Sequence, residues 1–188
     1  MQITCFGNGF RQGTYALFIV LSKELSIAFG KFLGGRKLLL EPGCYIYIGS
    51  ALGNRSASMP LARRLVRHAS RSNGNPPHEL RDHMVRFFQK NSLAGPGLQP
   101  PSQKKLHWHI DYLLDNQHAQ IVRLLIIRSP DRLETALSHL AASLDETSTV
   151  AQGLGAGDVR NSTHLLSVSN LDSCFTALER TIPPLINR

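Results

Sequence analysis

With 188 residues, 42% of them hydrophobic and 18% charged, the chain has the composition of one soluble domain with a real core, and no run approaches the ~18 apolar residues of a membrane span. Lys and Arg outnumber Asp and Glu by 21 to 13, and the resulting charge of +8 suits a polyanionic partner, although an anionic membrane surface would attract the same surplus. Three cysteines, Cys5, Cys44 and Cys174, odd in number and without CxxC spacing, exclude a disulfide framework and a paired-cysteine zinc site; with no signal peptide at the N-terminus, the expectation is a cytoplasmic protein without a membrane partner.

Tyr15 to Leu21, YALFIVL, is a run of strand formers between Gly13 and the polar Ser22, Lys23 and Glu24, and it reads as a buried strand. Leu25 to Phe29 and Leu38 to Leu40 read as short strands about the Gly34-Gly35 turn, and Pro42-Gly43 introduces another over Tyr45 to Gly49, so a β-meander is expected up to Gly49. Ser58 is a candidate N-cap ahead of Pro60, and Leu61 to Arg71 follows with helical periodicity. At about 100° per residue, Leu61, Ala62, Leu65, Val66 and Ala69 form an apolar back, while Arg63, Arg64, Arg67, His68 and Arg71 form a cationic front. Residues 70–105 are rich in Pro, Gly, Ser and Asn around a helical pattern from Leu80 to Lys90, and read as an insertion in a single domain spanning 1–188. HWHIDYLLD (His107 to Asp115), an apolar strand over Ile121 to Ile127 and a helix from Asp131 to about Leu144 come next. The loop GLGAGD then precedes a strand at His164 and a helix from Leu171 to about Thr181. The expected fold class is α/β of the α+β type, a small mixed or antiparallel sheet flanked by helices.

Tyr45 and Tyr47 share one face of their strand because the side-chain period is two, and such pairs commonly pack on a sheet. Here they stand in a wider pattern. Gly13-Thr14-Tyr15 opens one strand, Tyr47-Ile48-Gly49 closes a later one, and the cationic helix starts soon after. Added to these are GCYIYIGSA (Gly43 to Ala51), Arg64 with Arg67 and His68, and HWHIDYLL (His107 to Leu114), and a weaker continuation through Gly155 and Asp158 to His164. This combination resembles the DUF123 family placed within the GIY-YIG nuclease superfamily, with Thr14 where that superfamily's first tripeptide has Ile. Relatives usually hold two cysteines near Asp158, whereas Val159 and Asn161 occupy those places here and Thr163 precedes His164.

The resemblance implies a GIY-YIG-like fold and phosphodiester hydrolysis with one divalent metal, Mg2+ or Mn2+. Carried onto these positions, Tyr15 is the candidate general base, Tyr47 its active-site neighbour and Arg64 the phosphate contact. A free tyrosine has a pKa of ~10, so Tyr15 is a base near neutrality only where Arg64 or a metal stabilises its phenolate. His68, one turn after Arg64, is expected to help position the phosphate, and Arg63, Arg67 and Arg71 to bind substrate. The superfamily's metal ligand is a glutamate from a downstream helix; Asp111, one methylene shorter, is the best-placed carboxylate for that role. An alternative transition-metal set is His107, His109 and Asp111 with the remote His164, against which stands a helix start with hydrogen-bonded histidines and Trp108 in the core.

Arg81, Arg86, Lys90, Lys104 and Lys105 would widen a track for a nucleic-acid backbone, read by shape because no sequence-reading motif is present. The expected function is a metal-dependent endonuclease acting on DNA, with repair as a setting. The alternatives are a catalytically inactive nucleic-acid-binding module on the same scaffold and a histidine-based metalloprotein.

Overall fold

The computed structural model describes residues 2–53, 58–155 and 163–186, so Asp158, Val159 and Asn161 lie outside the described residues. The chain runs β1 (Ile3–Phe6), β2 (Gly13–Leu21), β3 (Leu25–Ala28), β4 (Lys37–Leu40) and β5 (Gly43–Ala51), then α1 (Pro60–His68), α2 (Arg81–Lys90) and α3 (His109–Leu114). It continues through β6 (Ala119–Arg128), α4 (Glu134–Ala142), β7 (Thr147–Thr149), β8 (Leu165–Val168) and α5 (Leu171–Ile186). Among the described residues, no helix is long and apolar enough to cross a membrane.

A mixed six-stranded sheet has the order β1-β6-β2-β5-β8-β7, with β1 and β6 parallel. The apolar run in β2 has a simple cause: the strand is paired antiparallel on both edges, by β5 and β6, and covered on both faces. Tyr15, Leu17 and Ile19 join Tyr45 and Tyr47 in the core beneath α1, α2 and α3, whereas Ala16, Phe18, Ile46 and Ile48 face the core under α4 and α5. The result is a mixed α/β fold of three layers. The expected meander takes a different form, because β3 and β4 pair only with each other in a separate two-stranded sheet and leave β2 to pair directly with β5.

Helix α1 buries Leu61, Ala62, Leu65 and Val66, as its periodicity requires. It begins behind Met59 with Pro60 in the first turn, so Ser58 is not the cap, and it stops at His68 rather than Arg71. The early stop has local causes. Ser70 Oγ donates back to the Val66 carbonyl, the Ser70 carbonyl accepts from Lys104 Nζ at 2.8 Å, and the Arg71 guanidinium donates to the carbonyls of Pro76 and Ala119. The insertion is part of the core: Met84, Phe88, Leu93 and Leu98 are buried in the same cluster as Tyr15. At roughly 1.5–3 kcal/mol for each fully buried apolar side chain, that packing fixes the segment against α1.

Candidate functional site

The register that pairs Tyr15 with Gly49 puts the two tripeptides side by side at one end of the sheet. A Cβ at Gly49 would lie 2.5 Å from the Tyr15 hydroxyl, so the glycine makes room for the tyrosine. Tyr15 is 1% exposed, and its hydroxyl lies 2.8 Å from His68 Nε2. His68 Nδ1 in turn faces Asp111 Oδ1 at 3.4 Å. Burial would raise the Asp111 carboxyl, but the adjoining His68 ring and the two bonds from Arg67 outweigh it and hold the group well below the ordinary carboxylate range. Burial lowers His68 to about 4, against the opposing pull of Asp111, so the imidazole is neutral at pH 7. An ionised Asp111 makes Nδ1 the protonated nitrogen. Nε2 is then the acceptor, and the Tyr15 O–H donates to it. Burial also raises the Tyr15 phenol well above its usual value, so the resting hydroxyl keeps its proton.

Asp111 is the hub of this arrangement. Arg67 grips it through two bonds of 2.9 and 2.8 Å, and its Oδ2 also accepts the backbone N–H groups of His107 and Trp108, which start α3. Lys104 Nζ, brought by the insertion, stands 4.0 Å away. Both carboxylate oxygens are thus filled by protein donors, which leaves Asp111 unsuited to the metal-ligand role expected of it.

Above the pair opens a pocket of about 470 Å3 whose lining includes Tyr47, Arg64, His107, Trp108, Glu134 and His164. Arg64 and Arg67 both lie over the Trp108 ring, with guanidinium carbons 4.3 and 4.4 Å from its centroid, which holds the two arginines in fixed orientation. Arg64 also donates to the Ser50 carbonyl, and the Ser50 hydroxyl donates to Glu134. His164 Nδ1 is 3.1 Å from Glu134 Oε1. Burial acts to raise the Glu134 carboxyl, but His164 and Ser50 bring the net shift below the ordinary value.

The structure therefore gathers Tyr47, Arg64, His107, His109 and His164 around the pocket and sets Tyr15 and His68 behind it. Tyr45 donates to the Glu41 carbonyl and is not part of the lining. Arg63 is exposed, while Arg67 and Arg71 are engaged within the fold. His109 Nδ1 accepts the Gly155 N–H at 3.3 Å. Among the described residues, no three His, Cys, Asp or Glu side chains converge as a metal shell. The sequence reading missed Glu134, Ser50 and Arg132; an acidic residue in the first turn of α4 was the available signal for the first.

Compared with known proteins, the chain matches a family model described as Domain of unknown function DUF123 over residues 14–186. No curated protein and no solved structure matches it.

Proposed function

The chain belongs to the DUF123 family, and from that premise we propose that it is a metal-dependent endonuclease on a GIY-YIG-type scaffold, hydrolysing phosphodiester bonds of DNA. The observation that carries this reading is the pocket in which Arg64, Arg132 and Glu134 stand together in front of the buried Tyr15–His68–Asp111 chain. Arginines at such a place hold non-bridging phosphate oxygens and offset the charge that develops in the transition state. Glu134 is the carboxylate of the pocket wall and would hold the metal by giving up its contacts to Ser50 and His164: Mg2+ is commonly held by one or two carboxylates together with substrate phosphate and water. A Mg2+ or Mn2+ at Glu134 would supply Lewis-acid neutralisation of the phosphate when bound.

The proton chain gives the Tyr15 proton an acceptor in the neutral His68 ring, which burial makes a weaker base than a free imidazole. Tyr15 is buried behind the pocket wall, so the step needs a water admitted past Tyr47; as that water gave its proton to Tyr15 Oη, the Tyr15 proton would pass to His68 Nε2 and no free phenolate would have to accumulate. The imidazolium so formed would lie 3.4 Å from ionised Asp111, whose charge offsets it; before the transfer that charge favours the neutral ring with its proton on Nδ1. Tyr47 lines the pocket, and its ring centroid is 6.4 Å from that of Tyr15. Its role in this reading is to position the water and phosphate in front of Tyr15.

The test is cleavage of duplex, flapped, branched and single-stranded DNA with Mg2+ or Mn2+ and with chelator. Arg64→Ala, Glu134→Gln and Tyr15→Phe are each expected to lower the rate by about 100-fold or more while the fold survives. Salt-sensitive binding with no cutting on any substrate would replace the enzyme with a catalytically silent nucleic-acid-binding module.

A further inference from the structure

A second cavity, of about 620 Å3, lies between the end of α1 and the two ends of the insertion, and shares no lining residue with the pocket around Arg64. Arg71, Arg81, Lys104 and Lys105 line it, and among the described residues of its wall there is no carboxylate. Arg71 is 8% exposed, and its Nε has no hydrogen-bond partner among the described residues although both terminal nitrogens are used. Asp115 and Asp111, 3.8 and 4.0 Å from Lys104, and Asp82, 3.4 Å from Arg81, offset part of that charge beside the wall, which leaves a smaller cationic surplus centred on Arg71 and Lys105. A concentration of positive charge in a concave, polar site is what an anion of several oxygens offsets.

The geometry points to a phosphate-binding site here, taking a phosphate of a nucleic-acid strand at a distance from the scissile bond. This deepens the proposed function, and the choice of a strand over a free phosphate rests on that reading. Two observations favour the strand. The volume far exceeds that of one phosphate, which leaves room for a phosphate joined to further groups, as in a strand. The two cavities are also adjoining: Arg67 donates to the carbonyl of Lys105 on one side and stacks on Trp108, a wall of the first pocket, on the other.

The experiment measures binding of a labelled duplex to the full chain by anisotropy across a salt series, without metal, for wild type, Lys105→Gln and the double variant Arg81→Gln/Lys105→Gln. Lys105 is exposed, so the single variant keeps a folded test in hand, checked by thermal melting. The expected result is a weaker complex whose slope of log K against log salt shrinks by about 0.9 for each cation removed. Inorganic phosphate and a mononucleotide are titrated in parallel. Unchanged affinity and slope in both variants would overturn the site. Loss of mononucleotide or phosphate binding with duplex binding intact would overturn the strand and leave a small-molecule phosphate site. Cutting is scored separately, and a slope change in a protein that cleaves nothing would support this cavity while the nuclease reading fails.

Discussion

Thr14 is fully buried, and its hydroxyl has no hydrogen-bond partner among the described residues. An unpaired hydroxyl in an apolar interior costs on the order of 1–3 kcal/mol, whereas Val has the same shape and suits a strand. Thr14→Val is expected to raise the unfolding free energy by about 1 kcal/mol in urea titrations, and a loss of stability would show that the hydroxyl has a partner in solution. Gly49 makes the opposite case. A methyl there would come within 2.5 and 2.6 Å of Tyr15 Oη and Cζ, and Tyr15 is held by its bond to His68 and by burial. Gly49→Ala should therefore cost about 1–3 kcal/mol, read as a lower melting temperature. Because the displaced group is the proposed base, cleavage should fall more steeply than DNA affinity; equal losses of both would assign Gly49 to packing alone.

At the scale of elements, α1 and α3 are joined through one carboxylate. Asp111 carries the charge that neutralises Arg67 and also caps the start of α3, so Asp111→Asn removes the buried partner of an ionic contact while keeping its size. Breaking such a pair costs several kcal/mol; with Arg67 one-fifth exposed to water, the expected loss is about 2–3 kcal/mol by chemical denaturation. Wild-type stability in the variant would mean that the neighbouring donors do not depend on the charge. This junction also shows what the sequence could and could not reveal. The apolar back of α1 was legible from its 3.6-residue period, and so was the buried β2 from its unbroken apolar run. His68 sits at the border of the two helix faces and turns inward, which the period alone does not decide. Tyr47 was legible through the family pattern in Gly43 to Ala51, since the alternation of its strand gave no more than a face shared with Tyr45. Glu134 was not: its meeting with Ser50 is made by the packing of α4 on the far layer, across a separation of 84 residues that leaves no local pattern. The short strands β1 and β7 were missed for a related reason, since each owes its form to a partner distant in the chain.

For the whole molecule, two buried histidines set the response to acid. Burial lowers His68 to about 4 and, with help from Arg71, His78 to about 3. His78 is fixed as a neutral ring by a bond to the Leu114 carbonyl at 2.9 Å and by the Ile121 N–H at 3.1 Å to its Nδ1. In the unfolded chain both titrate near ~6.5, so below that pH the unfolded state binds more protons than the folded one, and stability rises with pH. Their contribution is intact above about 6.5 and is lost as pH falls through the folded values of about 4 and 3. The slope approaches about 1.4 kcal/mol per pH unit for each histidine within that window. Denaturation free energies should accordingly be level from pH 8 to 7 and decline from 6.5 toward 4, with about half the slope in His78→Gln. A stability that stayed level down to pH 4.5 would mean that both rings take up protons while folded. His68 would then keep the lone pair that accepts the Tyr15 proton only above about pH 6.5, and the relay requires cleavage to fall as pH drops through that value; cleavage undiminished at pH 5 would overturn it.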